Sequence, residues 1–142
     1  MYQMQLIQMQ VLLLKAAKML LDRGEPIFVF PEGARFTSSD DVERNQVQEL
    51  FDGAAWLAAR TGAVVVPIGI TGTAAALGAG TRRLRRAHVA VVVGEPMPAP
   101  SGVDGGKASR EEIAAFTLRL RTELQAAQDQ AVVLSPFAKR KQ

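Results

Sequence analysis

Residues 28–37 read FVFPEGARFT, an apolar run that ends at a proline and is followed by a carboxylate, a glycine and an arginine. Short apolar runs rich in β-branched and aromatic residues are typical of strands buried on both faces. We therefore expect a strand over residues 27–30. Pro31 lacks the backbone N–H that a strand ladder needs, which predicts that the strand ends there. The polar residues of this stretch would then lie at the end of a buried strand.

The chain beyond this stretch predicts a helix and two more strands. Residues 52–61 have a helical composition, and Gly62 stands where a helix terminator is expected. Residues 63–70, AVVVPIGI, have the pattern of a second buried strand, and residues 88–93 that of a third. Because strand, helix and strand in this order are typical of a parallel pair, we expect an α/β fold with a mostly parallel central sheet and flanking helices.

Two longer helices are predicted to flank the sheet. Residues 4–22 contain no glycine or proline and favour a helix, which we expect to be apolar on most sides. Ser109 and Glu112 have the spacing of a capping box at the start of another helix. Apolar residues then recur at helical spacing and predict the face that packs on the sheet: Ile113, Phe116, Leu120, Leu124 and Ala127.

The composition is that of one compact domain. The chain has 142 residues, of which 48% are hydrophobic and 22% charged. We assign residues 1–130 to this domain and residues 131–142 to a basic tail that we expect to be flexible. The absence of cysteine excludes disulfides and thiol catalysis, and a single histidine, His88, excludes a histidine-rich site. We therefore predict no metal centre.

The charge of the chain suits contact with phosphate. The formal net charge is +3, and arginine outnumbers lysine. The longest apolar stretch, residues 11–21, contains Lys15 and Lys18 and is too short to cross a bilayer. No signal peptide is recognisable at the N-terminus. We accordingly expect a cytosolic or peripheral protein without a transmembrane segment.

A cluster of four arginines lies between the second and third predicted strands. It could contact an anionic membrane surface, or it could be a solvated loop. The same cluster would also suit nucleic acid, but no aromatic interleaving or nucleic-acid-binding motif accompanies it, so we expect no nucleic-acid partner. The four residues are Arg82, Arg83, Arg85 and Arg86.

The residues after Pro31 have the chemistry of a small phosphate site. Gly33 permits a positive φ and close approach of the backbone to a ligand, and Arg35 offers a planar fork of donors. Glu32 could hold that fork in place or accept a proton from a hydroxyl group. The same residues could equally form an ordinary turn with a surface ion pair. The local residues leave both interpretations open.

The wider pattern resembles the glycerolipid acyltransferase family. FPEGARFT is followed by FDGAAWLA at residues 51–58 and by VVVPIGI at residues 64–70, and the resemblance extends from about residue 20 to residue 96. Members of that family transfer a fatty acyl group from a thioester carrier to glycerol 3-phosphate, lysophosphatidate or related lipids. The resemblance implies a glycerol-3-phosphate acyltransferase-like fold, acyl-CoA or acyl carrier protein as donor substrate, and no other cofactor.

The resemblance also assigns residues to the site. It implies that Glu32, Gly33 and Arg35 bind the acceptor phosphate. Ala34 stands where the family more often has threonine or serine, so one hydroxyl contact would be missing. The residues that would shape the pocket are Phe30, Pro31, Ala34 and Pro67.

The family's catalytic pair is not present in the sequence. In the family a His-x-x-x-x-Asp motif precedes the strand that ends at Pro-Glu-Gly, here residues 31–33, whereas His88 follows these residues and has Val93 five positions on. A lone histidine at a strand start is more often structural or exposed, and Trp56 is expected to pack in the core. The chain resembles the C-terminal part of such an enzyme, N-terminally incomplete, so we expect no catalytic residue here and no activity from this chain alone.

Three hypotheses follow from the sequence. The first is an acyltransferase of phospholipid biosynthesis that acylates lysophosphatidate, peripheral to the membrane on its cytoplasmic side. The second is a non-catalytic phospholipid-binding or phosphate-binding remnant. The third is a basic nucleic-acid-binding module.

Overall fold

A computed structural model describes residues 2–33, 45–76, 86–102 and 105–135 of the chain. This part of the chain combines helices with a small sheet, which agrees with the mixed class that the sequence predicts. Its elements are α1 (Tyr2–Asp22), α2 (Gly53–Thr61), β1 (Ile68–Thr71), α3 (Thr73–Ala76), β2 (Ala90–Val93) and α4 (Arg110–Leu134).

The helix ends follow the local signals in the sequence. Gly62 ends α2 in the left-handed conformation, with φ 71°, and its N–H donates to the Ala58 carbonyl. At the start of α4, the Glu112 N–H donates to Ser109 Oγ at 3.1 Å, and the Ser109 N–H donates to Glu112 Oε2 at 2.6 Å. The predicted terminator and capping box are both confirmed.

The two strands pair antiparallel. Ile68 lies opposite Val93, and Thr71 lies opposite Ala90. The pairing continues to a bridge between Val65 and Met97, whose backbone groups exchange hydrogen bonds of 2.9 and 2.7 Å. The expectation of a parallel sheet is therefore wrong for these strands. The chain turns back beyond the end of β1, so β2 runs in the opposite direction along it, and an apolar run does not reveal the direction of its partner.

The first predicted strand, residues 27–30, does not form in the described part of the chain. Phe28 is 84% exposed and Phe30 is 86% exposed. A strand needs a neighbour for its backbone hydrogen bonds, and its side chains need a packed layer to be buried. Neither β1 nor β2 pairs with this run. The prediction was made from composition, which does not show whether a neighbouring strand or a packed layer of side chains is present.

Helix α4 packs across both strands and carries the core. Of its predicted apolar face, Ile113, Phe116, Leu120 and Ala127 are buried and Leu124 is half-buried, which confirms the pattern. Strand β1 approaches the helix so closely at Gly69 that a β-carbon there would fall 2.3 Å from the Ala127 backbone. The absence of a side chain at Gly69 therefore permits this approach.

Helix α2 is joined to the same core. Leu50 and Ala55 are buried in one cluster with the apolar face of α4. Thr117 Oγ1 on α4 donates to the Asp52 carboxylate at 2.6 Å, just before α2 begins. Because Thr117 is buried, this bond satisfies a polar group that would otherwise be costly in the core.

Helix α1 contacts α2, where Leu14 lies near Gly53. Its other sides are less covered, since Leu12 and Leu13 are exposed. Within the described residues, no helix combines the length and the apolar character needed to cross a membrane.

Helix α4 continues past the predicted domain boundary at residue 130. Ala131 is fully buried and Ser135 follows the last helical residue, Leu134. The predicted tail thus begins inside the helix, because Ala131 continues the apolar spacing of the buried face. The rest of the tail, residues 136–142, lies outside the described residues.

Candidate functional site

A tight turn follows residues 27–30, and a turn was one of the two interpretations that the local sequence left open. The Gly33 N–H donates to the Phe30 carbonyl at 3.2 Å, and Gly33 has φ 69°. This left-handed conformation is open to glycine and strained for residues with a β-carbon. Residues 30–33 are called the Glu32 turn below.

The Glu32 turn is held by a second segment, residues 48–51. The Gln48 N–H donates to Glu32 Oε1 at 3.3 Å, and the Phe51 N–H donates to the Pro31 carbonyl at 2.9 Å. The Phe51 ring lies over Gly33, where an added β-carbon would come within 2.7 Å of it. Two hydrogen bonds and one ring contact therefore fix the turn against this segment.

Glu32 has a structural bond in addition to any role in binding. Its half-buried carboxylate accepts the Gln48 backbone N–H, and such charge-assisted bonds are stronger than neutral ones. A carboxylate has about four lone-pair sites, so one such bond leaves capacity to accept from a ligand hydroxyl or a guanidinium. Glu32 can therefore hold the turn and contact a ligand at the same time.

The structure places the remaining predicted pocket residues as follows. Ala34 and Arg35 lie outside the described residues. Phe30 is exposed, while Pro31 is half-buried in the turn. Pro67 is fully buried, and its carbonyl accepts the Gly94 N–H at 2.8 Å. Pro67 thus packs in the β-ladder, and no hydrogen bond among the described residues joins it to the Glu32 turn.

The other residues singled out by sequence are dispersed. Arg82, Arg83 and Arg85 lie outside the described residues, and Arg86 is exposed. His88 is also exposed, which agrees with the prediction that it is structural or solvent-facing. Trp56 packs against the core cluster, as expected, and the Arg60 guanidinium lies 5.5 Å from its ring centre.

Two residues of this site were not singled out for it from the sequence. Gln48 contributes a backbone N–H, which every residue except proline has, so its side chain gives no signal of the contact. Phe51 opens the FDGAAWLA segment that the sequence comparison quoted, but its ring contact with Gly33 joins residues 18 positions apart, which no local pattern predicts.

A family comparison covers this site. Residues 5–71 match the family model described as Acyltransferase. The matched segment begins in α1 and ends at the last residue of β1, so it contains the Glu32 turn and residues 48–51. It confirms the resemblance that was based on FPEGARFT. No solved structure gave a significant match to the chain. Over residues 5–71 the chain is therefore similar to the acyltransferase family.

Proposed function

We propose that this chain serves the transfer of a fatty acyl group to lysophosphatidate, and that the Glu32 turn and Arg35 bind the acceptor phosphate. The observation that carries the proposal is the Glu32 turn, which lies inside the segment that matches the acyltransferase family model. Two hydrogen bonds hold this turn in place, and its Gly33 has a φ that favours glycine. Arg35 follows this turn by two residues. A fixed turn limits the directions in which the chain can continue toward Arg35, which favours a preorganised phosphate site.

The reaction requires a phosphate site and a base. The acceptor hydroxyl attacks the thioester carbonyl and gives its proton to a base, the carbonyl–sulfur bond breaks, and the base returns the proton to the departing thiolate. The His-x-x-x-x-Asp pair that supplies this base in the family is not present in the sequence, so the base is not assigned to this chain. A guanidinium suits the acceptor phosphate because it offers two parallel donors. In this proposal the residues of the Glu32 turn bind and orient the acceptor, and acyl-CoA or acyl carrier protein supplies the acyl group.

Lysophosphatidate resides in membranes, so the proposed function includes peripheral contact with a membrane surface on its cytoplasmic side. Phe28, two residues before the Glu32 turn, and Phe30, its first residue, are exposed and support this part of the proposal, because exposed aromatic side chains favour the membrane interface. The arginine cluster at residues 82–86 would add attraction to anionic lipid.

A second candidate function is binding of phospholipid or phosphate without catalysis. The observation that favours it is the position of the one histidine, His88, which follows the family-matched segment and is exposed. Glu32, the carboxylate at the turn, already accepts a backbone hydrogen bond. Both candidates require the same phosphate site, so binding is tested first. Because the sequence lacks the His-x-x-x-x-Asp pair, turnover by an acyltransferase that contains this segment, rather than by this chain alone, separates them.

Binding is tested by titrating the chain with glycerol 3-phosphate while the backbone amide signals are followed by NMR. We expect shifts at Glu32, Gly33 and Gln48, weaker shifts with inorganic phosphate, and none with glycerol. Arg35→Gln should abolish the shifts. Arg23→Gln is the matched control because Arg23 is exposed, lies before the turn and should not affect binding. Equal shifts in the Arg35 variant and the wild type would overturn the proposed site.

A further inference from the structure

We propose that Gln125 on helix α4, together with Arg121, is a positioning residue for the Glu32 turn and thereby sets the affinity for the acceptor. Its action passes through residues 45–51. The inference rests on the proposed function, because it assumes that the turn binds the acceptor phosphate. It assigns a role to a helix that lies beyond the family-matched segment, which ends at residue 71.

Both ends of the Gln125 side-chain amide bond to residues 45–47. These residues directly precede the segment 48–51 that holds the Glu32 turn. Its Oε1 accepts the Val47 N–H at 2.8 Å. Its Nε2 donates to the Asn45 carbonyl at 3.1 Å and to the Asp129 carboxylate at 2.8 Å. The side chain is half-buried. The amide is thus held at a fixed angle, with Asp129 one helical turn further on as its support.

Arg121 adds contacts to the same short stretch. Its Nε and Nη2 atoms donate to the Val47 carbonyl at 3.4 and 3.3 Å. Gln128 extends the arrangement to the sheet, since its Nε2 donates to Asn45 Oδ1 at 3.2 Å and its Oε1 accepts the Ile70 N–H at 3.0 Å. The bonds from Gln125 and Arg121 to residues 45–47 are called the α4 clamp.

The α4 clamp supplies hydrogen-bond partners for backbone groups of residues 45–51. Residues 45–51 form neither helix nor strand, so their backbone groups lack the partners that regular structure supplies. Buried or half-buried backbone groups without partners cost free energy, and most are therefore bonded. Helix α4 provides those partners from side chains, and this fixes where Val47 lies.

The position of Val47 affects the hydrogen bond that the next residue, Gln48, makes to Glu32. Gln48 follows it directly, and the Gln48 N–H reaches Glu32 Oε1 at 3.3 Å, near the upper end of hydrogen-bond distances. A further displacement of a few tenths of an ångström would weaken this bond. Phe51 N–H, three residues on, holds the Pro31 carbonyl of the same turn. Loss of the clamp should therefore loosen the Glu32 turn although α4 contributes no atom to it.

The test compares Gln125→Leu, Gln125→Glu and the matched control Gln130→Leu. Gln130 lies on the same helix and is exposed. The leucine variant at Gln125 loses the two bonds to residues 45–47 and the bond to Asp129, and we expect its affinity for glycerol 3-phosphate to fall about fivefold to tenfold. The glutamate variant keeps an acceptor for the Val47 N–H and should recover part of the loss. Gln130→Leu should bind as the wild type does.

Amide hydrogen exchange supplies a readout that needs no ligand. In Gln125→Leu we expect faster exchange at Gln48 and Phe51, and unchanged exchange at Gly62, whose N–H bonds within α2. If the wild type binds no glycerol 3-phosphate, the proposed function fails and exchange still decides on the clamp. Unchanged exchange and affinity in Gln125→Leu would overturn the inference. A uniform rise of exchange across α2 and the sheet would also overturn it, since that reports only lost stability.

Discussion

The ring of Phe51 lies against Gly33 so closely that a β-carbon added to the glycine would fall 2.7 Å from Phe51 Cε2. This contact joins the Glu32 turn to the segment that supports it. The glycine is needed there twice over, since its φ of 69° is also unfavourable for other residues. A substitution at Gly33 should therefore cost both backbone strain and a steric clash with Phe51. A glycine with a similar φ but no neighbouring atoms should show the backbone strain alone.

We expect Gly33→Ala to lower the free energy of unfolding by about 1–2 kcal/mol. Gly24→Ala is the control for backbone strain, because Gly24 has φ 78° and nothing within 4 Å of an added β-carbon. Its cost should be smaller, about 1 kcal/mol. Urea denaturation measures both. Adding Phe51→Ala to Gly33→Ala should restore part of the loss, since the ring is 68% exposed and contributes little burial; equal costs at the two glycines would contradict the contact.

Gly69→Ala should be more damaging than either of these changes. The added β-carbon would meet backbone atoms of Ala127 and Gln128 at 2.3–2.5 Å, and a helix backbone cannot turn aside as a side chain can. We expect a loss of about 3 kcal/mol or more in unfolding free energy, at the upper end of overpacking effects. Gly62→Ala, at an open position, should cost about 1 kcal/mol. A stable Gly69→Ala protein with unchanged urea midpoint would show that β1 does not rest on α4.

The capping box formed by Ser109 and Glu112 should stabilise α4. Ser109→Ala removes the acceptor for the Glu112 N–H and should cost about 1 kcal/mol, whereas Ser109→Asp should retain most of the stability. Thermal denaturation followed by circular dichroism is the measurement. Glu111→Gln serves as a control, since Glu111 is exposed and lies outside the box. If Ser109→Ala melts with the wild type, the box has no role in the folded chain.

Arg35 is the residue on which the proposed phosphate site depends. In an active acyltransferase that contains this segment, Arg35→Ala should weaken use of the acceptor by about ten- to a hundredfold, because a hydrogen bond to a charged group contributes about 1.5–3 kcal/mol. Arg35→Lys should recover only part, since an ammonium cannot reproduce the fork. Steady-state kinetics with varied lysophosphatidate measures both. Wild-type acceptor kinetics in the two variants would show that Arg35 and the Glu32 turn do not bind the acceptor phosphate.

The purified chain of 142 residues should show no acyl transfer from acyl-CoA to lysophosphatidate. General base catalysis contributes about 10²–10⁴-fold in rate, and His88, the one histidine of the sequence, follows the matched segment and is exposed. A thiol-release assay measures turnover, with His88→Ala as the variant. Turnover that His88→Ala abolishes would show that His88 is the base, and would favour the catalytic candidate over the binding one.

Local signals in the sequence predicted α1, α2 and α4 and are compatible with the turn at Glu32, whereas the short helix α3 was not predicted. The spacing of Ser109 and Glu112, the glycine after α2 and the apolar stripe of α4 each depend on residues within a few positions of one another. The same holds for Pro31 and Gly33, whose backbone preferences predict a turn wherever the chain is placed. The family resemblance also rested on short motifs, and the match over residues 5–71 agrees with it.

The amino-acid sequence by itself thus determined α1, α2, α4 and the turn at Glu32, because propensity, capping and turn chemistry act over one or two turns of chain. Its short motifs also carried the acyltransferase resemblance. Only the tertiary structure decided that β1 and β2 pair antiparallel, that residues 27–30 form no strand, and that Gln125 bonds to Val47 across 78 positions. These features depend on which distant groups satisfy each backbone N–H and cover each apolar side chain. An apolar run is compatible with either strand direction, and a glutamine on a helix surface is compatible with solvent, until the partner is in place.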